Sequence, residues 1–296
     1  MSWNKSLSRK EPGKKGEKGK FARFFALKRK HLAFPYALFL VLFVVIPLIT
    51  IVCYAFSKTS YDEFGNKVTS FSFDAALSFF TQSHKWEVLF VSLFFGLQTT
   101  LICILLSYPA AYFLVDKRVN KNAVLVILFI MPMWINFVIR TGATRDLLGW
   151  MGFDGSSHPW GATLVGMVYN YIPFTILPLY TTMLKLDHSQ IEASYDLGAN
   201  KFQTFTRNIL PQTLPGIVSA AEMVFMPVMS SYVISDTLSE GKITLFGNYI
   251  YLDFTNSLWN EGSFMALIML VLIGISMFLT RGVDKDAASN RGGALW

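Results

Sequence analysis

The residues that could do covalent chemistry come first, and they are missing their partners. Gly19-Lys20-Phe21 and Gly241-Lys242-Ile243 each lack the Ser/Thr and the upstream glycine of a phosphate-binding loop. HExxH, GxSxG and CxxC do not occur, so those routes to an activated water or nucleophile are closed. Two polar features remain. Glu222 is the one charged residue in the run from Thr213 to Ile234. A carboxylate at membrane depth is costly and faces a protein interior or a wet cavity. At about 100° per residue, Ser219 and Ser230 share broadly its helical face. A substrate-facing carboxylate and a hydrogen-bonded structural one both fit that pattern.

The second feature is the segment KLDHSQIEASYDLGANKFQTFTRNILPQTLPG, starting at Lys185. Asp187 or Ser189 can cap a helix, with Glu192 near its positive end. Ile191, Tyr195 and Leu197 give that helix an apolar side, and Gly198 supplies a stop or a point of close contact. Phe202, Phe205, Ile209 and Leu210 form a second apolar pattern before Pro211. By itself the segment also fits a plain amphipathic surface helix.

These features must sit on elements that the composition restricts. The 296 residues are 53% hydrophobic and 15% charged, against about 25% charged in soluble domains. Mean hydropathy is +0.42. A helix crosses the hydrocarbon with about 20 mostly apolar residues. Six runs qualify: Phe34 to Phe56, Leu89 to Val115, Ala123 to Ile139, Ala162 to Leu184, Thr213 to Ile234 and Phe264 to Thr280. The fold class is therefore an all-α integral membrane protein with six spans. The first run exceeds a signal-peptide core and has no small-residue cleavage site, so it is read as retained. Cys53 and Cys103 both fall inside spans and suggest neither a disulfide framework nor a metal site.

Segments 1–33, 116–122, 185–211 and 281–296 hold 20 of the 26 basic residues. The positive-inside rule makes them cytoplasmic, with both termini. The organisation expected is a basic tail over 1–33, a six-span domain over 34–280 with a loop at 185–211, and a cytoplasmic tail over 281–296. Residues 1–20 lack apolar periodicity and are expected to be disordered. Lys20 to His31 mixes Phe with Lys and Arg, a pattern suited to a helix lying on anionic lipid. No nucleic-acid module accompanies the basic arm. The segments 57–88, 140–161 and 235–263 are expected to be irregular loops on the far side. Prolines 47, 109, 132, 173, 178, 215 and 227 fall inside spans.

Glu192-Ala193, Gly198 six residues after the Glu, and Leu210-Pro211 resemble the EAA loop of ABC importer permeases. Ser194 stands where the family usually has a second Ala, and Asn208 where it usually has Ile. MPMWINFVIRTGA, YIPFTILPLY and YVISDTLSEGKITLFGNYI are similar to the permease subfamily of spermidine/putrescine importers. The resemblance implies the type I importer permease fold with a MetI-like core in a bacterial plasma membrane. It implies a coupling helix whose docking residues are Glu192, Ala193, Ser194, Gly198, Leu210 and Pro211. It implies a second permease subunit, an ATPase dimer that binds the ATP, and an extracytoplasmic substrate-binding protein. No cofactor is expected in this chain.

A polyamine is a flexible polycation whose route should offer carboxylates, carbonyls and aromatic faces. Candidates are Glu222, Asp236, Trp134, Asn136, Tyr169 and Tyr171. Asp236 also suits a helix cap, and the aromatic residues also suit membrane-interface anchors. The same machine with another solute is the nearest alternative. A carrier driven by an ion gradient, or a membrane scaffold, would leave the EAA-like loop without a role.

Overall fold

The computed structural model describes residues 29–61, 67–116 and 124–292. The tail 1–20, most of the Lys20–His31 segment, and Lys117, Arg118 and Lys121 lie outside the described residues. The chain divides at Thr50 into two units. In the first, α1 (Arg29–Leu40) passes through one π turn (Val41–Val45) into α2 (Ile46–Ala55), whose last residues belong to the second unit. Uncharged side chains from Pro35 to Ala55 make this stretch long and apolar enough to cross a membrane.

The second unit opens with a hairpin, β1 (Ser57–Tyr61) paired antiparallel with β2 (Lys67–Phe71), Thr59 opposite Thr69. Thr, Tyr, Val and Phe favour this pleated form. A short helix α3 (Asp74–Thr81) follows, so the segment expected to be irregular is regular over most of its length. The long helices α4 (Ser83–Val115) and α7 (Pro159–Met183) then pack with α10 (Leu210–Ser230) as the centre of the fold. Phe95, Met167, Val224 and Val228 fill the space between them. Towards the other end the core is small, with Ala111, Leu179, Met183 and Ala220. Some polar side chains on these helices pair, as Ser107 with Thr175 and Tyr108 with Thr213, while the buried Thr100 and Thr163 hydroxyls have no partner. Inside hydrocarbon an unpaired hydroxyl costs more than it does at a wet surface.

One span is corrected. Ala123 to Ile139 was expected to be a single crossing, but it breaks. Helix α5 (Val124–Ile130) tightens into a 3₁₀ turn (Met131–Trp134), and α6 (Phe137–Trp150) leaves at 96° to it. Pro132 lacks the N–H that would continue the helix, and the Asn136 side chain accepts from Val138 N to start a new one. α6 also occupies the first half of the expected 140–161 loop. Among the described residues, five helices are long and apolar enough to cross a membrane, and the count is six if this bent pair is one span.

α10 begins as a continuous helical path from Lys201, through α9 (Lys201–Thr204) and a π turn (Phe205–Ile209), and runs to Ser230. Near its middle Gly216 lies so close to α7 that a Cβ there would meet the Thr182 hydroxyl at 2.6 Å. After a break at Ser231, α11 (Val233–Ser239) and α12 (Phe246–Thr255) lead to α13 (Trp259–Gly292). These two short helices replace the irregular loop expected over 235–263.

Candidate functional site

Two chain breaks face each other. The bend at Met131–Asn136 and the α10–α11 break at Ser230–Tyr232 are bridged by α7, and a cavity of about 540 Å³ lies between them. Trp134, Phe137, Tyr171, Phe174 and Tyr232 give it aromatic walls, with Asn136, Asn170, Ser230 and Ser231 as its neutral polar groups. Breaks of this kind are tolerated at membrane depth where they line a cavity, because the freed backbone groups find other partners there.

Arg140 supplies such a partner. It sits one turn into α6, is only 6% exposed, and reaches back across the bend. Its Nη1 donates to Pro132 O at 2.8 Å, Nε to Asn170 Oδ1 at 2.7 Å and Nη2 to Asn170 O at 3.4 Å. The Tyr169 ring lies 5.7 Å from the guanidinium carbon. Asn170 in turn donates to Gly166 O at 2.8 Å, so the bend, α6 and α7 are tied at one point. Arg140 and Asn170 carry no role in the sequence analysis, where Arg140 is only one charge in a loop. The available signal was an arginine directly after an uncharged, proline-containing run with an Asn cap.

The sequence candidates separate in space. Trp134 (78% exposed), Asn136 and Tyr171 line the cavity. Tyr169 is not on that lining and instead covers Arg140. Asp236 is exposed in the first turn of α11, beyond the lining residues. Glu222 lies in a different groove, between α4, α10 and α13, where it accepts from the Thr280 hydroxyl. Ser230 reaches the cavity, whereas Ser219 donates to Pro215 O at 2.9 Å. The shared helical face therefore does not become a shared site.

The segment from Lys185 to Pro211 folds as two short helices at the opposite end from the hairpin. Asp187 caps α8 (His188–Asp196), accepting from Ser189 N at 3.0 Å and Ser189 Oγ at 2.7 Å, which hold its carboxyl below the usual range. Asn200 and Gln203 form a reciprocal capping box at the start of α9. Ser194 donates to Ile191 O at 2.7 Å and to Thr204 Oγ1 at 3.1 Å, joining α8 to α9. Asn208 donates to Gln190 O at 2.8 Å, a tie that the more usual Ile could not make.

Gly198 ends this turn at φ +81°, and nothing lies within 4 Å of where its Cβ would be. Beside it Glu192, Ala193 and Leu197 (89% exposed) face outward, as do Tyr195 and Phe202. Leu210 opens α10 half-buried, and Pro211 is exposed at its first turn.

At the hairpin end, charges are gathered and buried. Lys85 is 1% exposed and donates to Ser78 Oγ at 2.8 Å and to Glu261 Oε2 at 2.6 Å. Asp253 on α12 is 6% exposed, and its Oδ2 has no hydrogen-bond partner. Burial pushes the Asp253 carboxyl up to about 6, with Lys85 opposing and Glu261 adding to the rise. Nearby, Asn260 Nδ2 ties α13 to Ser57 O at 2.5 Å and Tyr54 O at 3.0 Å. Among the described residues, no three His, Cys, Asp or Glu gather to hold a metal ion.

Membrane-length helices, a cavity between two chain breaks and an exposed capped helix at one end are the features of a multi-span membrane permease. The chain matches the family described as binding-protein-dependent transport system inner membrane component over residues 36–286, and it belongs to that family. It is 32% identical over 255 residues to the spermidine/putrescine transport system permease protein PotB of Salmonella typhimurium strain LT2, covering 81% of this chain and 88% of that one. The protein of the same name from Escherichia coli strain K12 is 34% identical over 209 residues, 66% of this chain and 76% of its own. The Haemophilus influenzae protein is 31% identical over 264 residues, 83% and 90%.

Two solved structures share the fold. A bacterial alginate ABC transporter chain superposes with a TM-score of 0.63 at 13% identity, covering 85% of this chain and 92% of that one. A chain of the MetNI methionine ABC transporter gives 0.50 at 16% identity, covering 70% and 99%.

Proposed function

We propose that this chain is the membrane-spanning permease of an ATP-driven polyamine importer and that the aromatic cavity between the two chain breaks carries the cargo. The observation behind the cargo is that cavity: Trp134, Tyr171 and Tyr232 offer ring faces to an alkylammonium group, while Asn136, Ser230 and Ser231 offer neutral acceptors. The names of its relatives point the same way. Each cation–π contact contributes from about 0.5 kcal/mol when exposed to about 2 kcal/mol or more when desolvated, so several faces suit a long cation with several charges.

Energy enters at the other end. α8, with Glu192, Ala193, Ser194 and Gly198, docks on an ATPase pair that holds the nucleotide, and Leu210 and Pro211 anchor the second half of that loop. A second permease completes the pathway, and an extracytoplasmic binding protein delivers cargo to the hairpin end. Both termini are then cytoplasmic, in the sense set by the 20 of 26 basic residues on that side.

The test is uptake of radiolabelled spermidine and putrescine into proteoliposomes that hold the whole complex, with ATP inside. ATP-dependent uptake that falls about tenfold in Trp134→Ala or Tyr171→Ala, with assembly intact, is the expected result. Uptake that persists without ATP on an ion gradient sinks the energy source. Normal polyamine uptake in both variants removes the cavity as the route.

A further inference from the structure

Among the described residues that line the cavity, Arg140 carries the only charged side chain. Its described partners are all neutral: Pro132 O at 2.8 Å, Asn170 Oδ1 at 2.7 Å, Asn170 O at 3.4 Å and the Tyr169 ring. None of the ion pairs found among the described residues includes it. A guanidinium stays protonated in a protein, so a full positive charge is fixed in the cavity wall. Carbonyl dipoles solvate that charge without cancelling it, and the apolar walls around it keep its field from being screened.

The arrangement is an unusual one for a cation route, and it has a use. A permease must pass cargo without opening the membrane to the far more abundant inorganic cations. A fixed arginine is a known physical means of excluding protons and small cations from a pore.

We propose that Arg140 is the electrostatic barrier that keeps this cavity closed to protons and small inorganic cations when no cargo is passing. The proposal rests on the cavity being the transport route. A unit positive charge about 7 Å from the guanidinium, at an effective dielectric constant of about 20, is disfavoured roughly fiftyfold. A lone metal ion has one charge and one place at a time from which to recover that loss. A polyamine has several ammonium groups spaced along an apolar chain, and it gains from several of the aromatic faces at once.

The clamp and the charge are separable by substitution. Arg140→Gln removes both the charge and most of the bonds across the bend. Arg140→Lys keeps the charge and loses the forked geometry. Asn170→Asp keeps the guanidinium and places a carboxylate at the position now 2.7 Å from its Nε, while losing the amide donor to Gly166 O.

The complete complex is reconstituted in vesicles without ATP or cargo, and potassium and proton leak are read with entrapped dyes. Arg140→Gln and Asn170→Asp are expected to leak about ten to fifty times faster than wild type, and Arg140→Lys within about twofold of it. A tight Arg140→Gln complex overturns the proposal. Leak from Arg140→Lys as fast as from Arg140→Gln also overturns it, because the arginine then acts only by holding the bend. Should Arg140→Gln fail to assemble, Asn170→Asp decides, and a tight assembled complex overturns the barrier. Polyamine uptake with ATP, measured on the same vesicles, separates the two ideas. Its absence from wild type removes the proposed cargo, whereas the leak comparison is made without cargo.

Discussion

Replacing Asp253 by Asn changes one buried carboxylate into an amide of the same shape. Asp253 is 6% exposed, its Oδ2 is unpartnered, and its carboxyl is pushed up to about 6 from an ordinary value of 3.8. Each pH unit of such a gap is 1.36 kcal/mol, so the whole of it is about 3 kcal/mol. The sign follows from the form that the fold prefers. A carboxyl held neutral contributes its full stability below about 3.8, loses it as pH rises towards 6, and is a constant penalty above that. Asp253→Asn cannot ionise, so its advantage over wild type should be small near pH 4 and grow to about 3 kcal/mol by pH 7.5.

Lys85 and Glu261 face the same carboxyl, Lys85 opposing the rise and Glu261 adding to it. Thermal unfolding of the purified complex in detergent, scanned at pH 4.5 and 7.5, measures the difference. A midpoint shift that is the same at both pH values refutes the reasoning, as does a variant less stable than wild type at pH 7.5.

Three further outcomes are expected. Gly198→Trp should remain in the membrane but lose ATPase association, with Glu192→Ala less affected. A non-glycine residue at φ +81° is strained by about 1–2 kcal/mol, and an indole at that open surface obstructs docking. Co-purification reads this, and wild-type ATPase stimulation in Gly198→Trp would reduce the loop to a surface helix. Glu222→Gln and Asp236→Asn should each slow polyamine uptake by about tenfold if their charges help a polycation along. Normal uptake in both would confine the route to the aromatic cavity. Reporter fusions after Lys117 and Asp187 should read cytoplasmic, and those near Gly65, Gly155 and Lys242 extracytoplasmic; an external Lys117 sinks the six-span arrangement.

Most crossings were legible because hydrophobic length is a strong local signal. Pro35–Ala55, Pro159–Met183 and Leu210–Ser230 follow the expected runs to within a turn or so at each end. The third crossing was not, since an uncharged apolar run looks the same straight or bent. What bends it is a missing donor at Pro132 and a cap at Asn136, both weak in a hydropathy window. The hairpin was hidden because each strand has only five residues, too few for alternation to declare itself.

The first helix of the 185–211 loop was readable from its Asp187 cap, whereas the second was readable only from its apolar pattern and its Asn200 capping box went unread. The tie between Asn208 and Gln190 O spans 18 residues, and no local pattern reports it. Glu222 drew attention as a charge in an apolar run, but sequence spacing fixes only a helical face. It does not say which neighbour covers that face, and α13 covers this one through Thr280.

The helical path from Lys201 to Ser230 is one rod of 30 residues, about 45 Å long. One tip belongs to the 185–211 loop and the other to the cavity rim. Gly216, close to the midpoint, bears closely on α7, against Thr182. A beam resting on a central fulcrum behaves as a seesaw, so a tilt about this contact carries its two tips in opposite directions. Five degrees or so moves each tip by about 2 Å, since each arm is about 22 Å long. A side chain in place of Gly216 would meet Thr182 and push the rod off this fulcrum.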